Sequence, residues 1–148
     1  MGGNARSWVQ LKPELPQMAD EKGIIFVCPD GKNSWYWDSP ENPAYRYETF
    51  VTSELVKYTD GNYATIPDRK ARAISGLSMG GHGALWSAIR HKDVFGAAGS
   101  MSGGVDIRPF PQNWEMSKQL GEFAANKASW DAHTVVNQLD KIVMETWR

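Results

Sequence analysis

Residues Gly76–Leu85 read GLSMGGHGAL. One serine, Ser78, stands with a glycine two before it and another two after it, directly behind the apolar stretch AISG (Ala73–Gly76). Strand, then Gly-x-Ser-x-Gly, then helix is the context in which a serine is held at the tip of a tight turn, its oxygen above the end of a sheet. A side chain at 76 or 80 is expected to collide with the neighbouring backbone, which accounts for both glycines. The Met79 amide opens the following helix and points at the same spot, where it can donate to a developing oxyanion with the helix dipole behind it. The alternatives fit less well. A glycine-rich turn with an incidental serine ignores the strand and helix on either side. A dinucleotide site needs G-x-G-x-x-G, which GLSMGGHG does not supply.

Working outward, GIIFVCPDG (Gly23–Gly31) is a short apolar run closed by Pro-Asp-Gly and reads as a buried strand, apolar on both faces as in a parallel sheet. ARAISG (Ala71–Gly76) is a second strand, and Ala97–Met101 a third. Between them, Tyr47, Phe50, Val51, Leu55 and Tyr58 fall at offsets of 3, 4, 8 and 11, one helical face. Glu54 shares that face and calls for an ion pair with Arg69 or Arg72. Met79–Arg90 reads as a helix whose Gly80, Gly83 and Ala84 let it press against the sheet. A last helix is expected over Val135–Trp147, with Val136, Leu139, Ile142 and Val143 inward. Alternating strands and helices define an α/β fold with a parallel sheet flanked by helices, in a single domain over residues 1–148.

Composition narrows the function classes. The net charge is −1 with no run of like charge, which argues against nucleic acid as a partner. No apolar run approaches the roughly 18 residues that cross a bilayer, so no membrane partner is expected. The single cysteine, Cys28, excludes an intrachain disulfide and a cysteine-rich zinc site, and reads as a small buried hydrophobe. MGGNARSW does not read as a signal peptide, having no charged leader followed by an apolar stretch. Of seven tryptophans, Trp8, Trp35, Trp37 and Trp114 lie in loops or element ends, where aromatics line grooves or cover the core edge. Ligands in parallel α/β sheets sit beyond the C-terminal strand ends. That rule brings together Asp30–Gly31, NSWYWDS, Ser78 and Ser100–Gly104, with Trp35 and Tyr36 as the wall of an acyl or alcohol pocket.

A serine nucleophile needs a base, and the base a carboxylate. His82, four residues after Ser78, is carried away by the helix and reads as structural. His91 ends that helix, and His133 suits capping or surface packing. A substitute triad of Ser78, Asp106 and His133 has the chain order nucleophile, acid, histidine.

GLSMGGHGAL, CPDGKNSWYWDSP, YETFVTSEL and AAGSMSGG together resemble the esterase D-like branch of the α/β hydrolases, over nearly the whole chain, from Gly2 to Ile142. That branch includes S-formylglutathione hydrolases, feruloyl and acetyl-xylan esterases, tributyrin esterases and mycolyltransferases. The resemblance implies a serine carboxylic-ester hydrolase, or an acyltransferase on the same fold. No metal or organic cofactor is implied, and the substrate is a small-molecule or carbohydrate-linked ester. It places the nucleophile at Ser78 and the oxyanion donors at Met79 and Met1. The family's acid and histidine lie in segments like I-D-C-G-x-x-D and G-x-H-x-W, neither of which occurs here, and its leading strand ends in H-G-x-G-G-N, which this sequence meets at the x. The expectation is therefore an internal piece of a larger hydrolase, lacking N-terminal strands and the C-terminal strands with the acid and histidine, and weakly active or inactive. The contrasting expectation, from another class, is a non-catalytic homo-oligomer assembled through unpaired strand edges.

Overall fold

The structure, a computed structural model, describes residues 3–142. Two short helices, α1 (Ser7–Leu11) and α2 (Leu15–Lys22), lead in, and α2 ends at Gly23 in the left-handed conformation that a helix C-terminus favours. Next in the chain is a composite helix made of α3 (Tyr47–Thr49), a π-helical stretch (Phe50–Glu54) and α4 (Leu55–Asn62). Then come strand β1 (Ala73–Leu77), helix α5 (Met79–Arg90) and strand β2 (Ala97–Met101). Helices α6 (Ser117–Leu120) and α7 (Lys127–Ala132) precede a 3-10 segment, Val135–Lys141.

β1 and β2 pair in parallel, with Ala73 opposite Ala97 and Leu77 opposite Met101. Helix α5 is the crossover between them and packs on both. The ladder runs one residue past β1, where the Ser78 amide donates to the Met101 carbonyl at 2.8 Å. The α/β reading with a parallel sheet holds. The core lies on the side of α5 that carries Trp86 and Ile89, joined by Trp35, Trp37, Ile107, Met116, Leu120, Trp130 and Val135. Trp37 and Trp130 are wholly buried, and the Trp130 indole N–H donates to the Gly121 carbonyl at 2.9 Å.

Several local expectations change. Gly23–Cys28 forms no strand, because a strand exists only through its ladder and no amide from Ile25 to Cys28 donates to a backbone carbonyl among the described residues. Apolar residues on both faces of this segment therefore stay in solvent, with Ile24, Ile25, Phe26 and Val27 each 44–46% exposed. Cys28 is half-buried instead of buried, and desolvation raises its thiol pKa. In the composite helix, the π turn takes in an extra residue and rotates the downstream side chains relative to an α-helical face. Glu48, Val51 and Thr52 point inward, Tyr58 and Glu54 outward, and Glu54 has no ion pair among the described residues. Arg72 pairs with Asp60 instead, at 2.6 Å. Three residues per turn in the 3-10 segment bring Val135 and Gln138 to the buried face and leave Leu139 exposed, where an α-helix would have turned Leu139 inward. Val143 and the rest of that expected helix lie outside the described residues.

Among the described residues the buried carboxylate is Glu48. It accepts from the Trp86 indole N–H at 2.8 Å and from Arg90 Nε at 2.8 Å, and its Oε1 lies 2.7 Å from His91 Nε2. Arg90 also lies over the Trp86 ring, 4.4 Å from its centroid, and donates to Gln138. One carboxylate thus ties the composite helix to the C-terminal half of α5 and, through Arg90, to the 3-10 segment.

Candidate active site

Ser78 sits between β1 and α5 with φ 55° and ψ −116°. Positive φ is uncommon for a residue with a side chain, and this ψ lies outside the left-handed helical well, so the serine is held in a strained turn. Two bonds hold it. Its amide donates to Met101, and its carbonyl accepts from the His82 amide at 3.0 Å, the first helical bond of α5. The tightness of the turn falls on Gly76, where a Cβ would lie 2.3 Å from the Gly80 carbonyl carbon. Gly80 lacks the crowding expected of it, since a Cβ there meets nothing within 4 Å. It is Gly81 that approaches the end of β2, where a Cβ would come within 2.9 Å of the Met101 carbonyl oxygen. The amides of Met79, Gly80 and Gly81 open α5 without intrahelical acceptors.

Beside Ser78 lies a cavity of about 160 Å³. Trp35, Ile107, Phe110 and Trp114 form its apolar wall, and Ser102, Gly104 and Asp106 complete it. The Trp114 ring is 5.8 Å from Trp35 and 5.5 Å from Phe110, a continuous aromatic surface. Trp35, Ser78, Ser102 and Trp114 all have positive φ, so much of this lining stands on backbone that ordinary residues avoid.

Trp35 is thus in the pocket wall as expected, whereas Tyr36 is elsewhere. Its ring covers Gly83 and its hydroxyl reaches Gly31, both too close for a Cβ. Tyr36 therefore packs the loop onto α5 instead of facing the cavity. Asp106 lines the cavity with Ser78. Its carboxylate accepts from Arg108 Nε and Nη2, both at 2.8 Å, and these bonds hold its pKa below the usual carboxylate range. His133 is not in the cavity. Its ring lies against Trp37 and Trp86, and Nδ1 bonds the Ser129 carbonyl at 2.7 Å. No hydrogen bond links Ser78, Asp106 and His133 among the described residues, so the substitute triad is not assembled. Met1 lies outside the described residues.

His82 is structural, as its helical position implies. It is fully buried among Trp35, Trp37 and Trp86. Its Nδ1 bonds the Gly104 carbonyl at 2.8 Å, which fixes the proton on Nδ1 and pins the cavity wall to α5. Burial lowers its pKa to about 4, against the opposing effect of the Gly104 carbonyl, and His133 nearby adds to the lowering. His91, read as a charge at a helix end, is instead a partner of Glu48. Among the described residues no group of three or more His, Cys, Asp or Glu is placed to hold a metal ion, and no helix is long and apolar enough to cross a membrane.

A parallel crossover with a strained serine between strand and helix, beside an apolar cavity, is the serine-bearing region of an α/β-hydrolase fold. The chain belongs to the Esterase family, whose model matches residues 7–144. It is 40% identical over 94 residues to the diacylglycerol acyltransferase/mycolyltransferase Ag85A of Mycobacterium leprae, covering 58% of this chain and 28% of that protein. Esterase Rv1288 of Mycobacterium tuberculosis is 34% identical over 90 residues, 59% of this chain and 20% of that protein. In fold, the chain is similar to FphF, a fluorophosphonate-binding serine hydrolase of Staphylococcus aureus, with a TM-score of 0.83 at 19% identity, covering 98% of this chain and 56% of that one. The chain therefore spans about half of that solved structure and less than a third of the two curated relatives.

Proposed function

We propose that this chain carries the nucleophile half of a serine carboxylic-ester hydrolase, with Ser78 as nucleophile. The observation that carries the reading is the backbone of Ser78, strained at the strand-to-helix turn and bordering the cavity. Such strain persists only where the surroundings enforce it, and here Met101, Gly76 and the start of α5 do so. In the proposed reaction, Ser78 Oγ adds to the ester carbonyl and gives up its proton to solvent water, since no imidazole lines the cavity among the described residues. The Met79 N–H stabilises the oxyanion. Collapse breaks the bond to the alcohol, which leaves with a proton, and the acyl-serine remains. Water then attacks that acyl group, releasing the carboxylic acid and restoring Ser78. An alcohol in place of water gives the acyltransferase version of the same chemistry, which the similarity to Ag85A supports.

No imidazole lines the cavity among the described residues, so the rate through Ser78 is expected to be low for an enzyme. Oxyanion and binding interactions without a working triad still leave about 10³–10⁴-fold over water in a well-formed site. The test is labelling by a fluorophosphonate together with p-nitrophenyl acetate turnover, each compared with Ser78→Ala. Labelling and turnover that vanish in Ser78→Ala support the reading. Turnover unchanged by that substitution, or absence of labelling, refutes it. The exposed run Ile24–Val27 favours a second property, self-association through this unpaired segment.

A further inference from the structure

The acyl-transfer reading uses Ser78 and Met79 and leaves the charged group of the cavity lining, Asp106, without a task. A carboxylate offers about four acceptor positions. Arg108 occupies three of them. Its backbone amide at 3.1 Å and Nε at 2.8 Å bond Oδ1, and Nη2 at 2.8 Å bonds Oδ2. One position on Oδ2 is left, on a side chain that lines the cavity and keeps 36% of its surface accessible. Arg108 holds Asp131 with its other arm at 3.0 Å, so one guanidinium serves two carboxylates and the cluster keeps a net negative charge. Apart from Ser78, Ser102 and Gly104, the rest of the cavity wall is aromatic and apolar. Its volume of about 160 Å³ is close to the ~150 Å³ of an apolar cavity that holds one benzene.

We propose that this cavity is a subsite for a neutral, ring-sized group bearing a hydroxyl, and that Asp106 selects that group by accepting the hydroxyl's hydrogen bond. The inference rests on Ser78 as the nucleophile in one respect: the group is then the part of the ester held next to the reacting carbonyl. The selection is physical. A ring without a donor desolvates Asp106 and returns no bond. A ring bearing a carboxylate brings a second acceptor-only anion against the first. Arg108 fixes the carboxylate in place, so little ordering is required when the hydroxyl arrives.

Three probes of similar size separate these cases: phenol, anisole and benzoate, with dissociation constants measured by ligand-observed NMR on the full chain at pH 7. Phenol is expected to bind about tenfold tighter than anisole, the low end for a hydrogen bond to a charged, partly exposed acceptor, and benzoate weaker than both. In Asp106→Asn, phenol and anisole should come within about threefold of each other, and benzoate should gain affinity. Equal binding of phenol and anisole by the unmodified chain overturns the proposal, as does benzoate binding as tightly as phenol, or binding of none of the three. These outcomes need no variant, so they decide the matter even where Asp106→Asn does not fold. A folded Asp106→Asn with unchanged ratios overturns the role of Asp106. Fluorophosphonate labelling of the same samples keeps the two readings apart. Labelled Ser78 without a phenol preference removes the subsite alone. Unlabelled Ser78 with an Asp106-dependent preference removes the nucleophile alone.

Discussion

Replacing Glu48 by Ala should be among the most damaging single substitutions in this chain, although the residue lies outside the cavity. Its side chain is 11% exposed and bonded to Trp86, Arg90 and His91. Removing it leaves an indole N–H without an acceptor and a guanidinium without a counter-ion. Breaking a buried pair from one side costs about 3–5 kcal/mol. Water reaches Arg90, whose side chain is 31% exposed, and that places the expected loss near the low end, about 3 kcal/mol. For a chain of this length such a loss lowers Tm by about 6–12 °C. In urea it moves the unfolding midpoint down by about 1–3 M. A double-mutant cycle with Arg90→Ala should return a coupling of about 1.5 kcal/mol or more. Acid provides an independent check. Burial opposes ionisation of Glu48, yet the bonds from Arg90, His91 and Trp86 together leave its pKa below the usual value. A depressed carboxylate adds stability above its unfolded pKa of about 4.3, and that contribution is lost as pH falls through the lower folded value. Glu48→Gln should lack this acid-dependent loss. A Glu48→Ala penalty under about 1 kcal/mol, with no coupling to Arg90, would refute the reasoning.

Gly76→Ala and Gly80→Ala should diverge despite their symmetric places around Ser78. The first forces a Cβ against the Gly80 carbonyl and should cost about 1–3 kcal/mol and suppress fluorophosphonate labelling, whereas the second meets open space and should be neutral or stabilising by up to ~1 kcal/mol. Because His82 is buried with a pKa near 4, against about 6.5 when unfolded, stability should fall by roughly 3 kcal/mol as pH drops from 6.5 to 4. Urea titrations across that range test this, and His82→Asn, which can keep a donor to Gly104 but does not titrate, should flatten the dependence; a flat profile for the unmodified chain would contradict it. Phe26→Lys should shift the chain toward monomer in sedimentation velocity, and an unmodified chain that is already monomeric removes the self-association reading.

Much of the serine's local setting is legible in the sequence because it is built from near neighbours. Met79–Arg90 and Ala97–Met101 have the expected bounds, and β1 is displaced by only one or two residues. Gly76 is required by contact with a residue four positions away. Glu48 is not legible, since its three partners lie 38 to 43 residues downstream and the inward face runs through Glu48, Val51 and Thr52, one residue off the face that would hold Glu54. Nor is the contrast between Trp35 and Tyr36, adjacent residues that both have positive φ, one lining the cavity and the other covering Gly83.

By itself, then, the sequence determined the parallel strand–helix–strand unit and the serine at its turn, because periodicity and glycine placement act over a few residues. Tertiary structure alone decided which polar groups share the cavity. Asp106 meets Ser78 there because the ladder from β1 to β2 brings the two strand ends side by side, while His133 is drawn away by the aromatic surfaces of Trp37 and Trp86. The fate of Ile24–Val27 was decided in the same way: apolar residues specify a tendency to be buried, but only a hydrogen-bonded neighbour turns such a run into a strand.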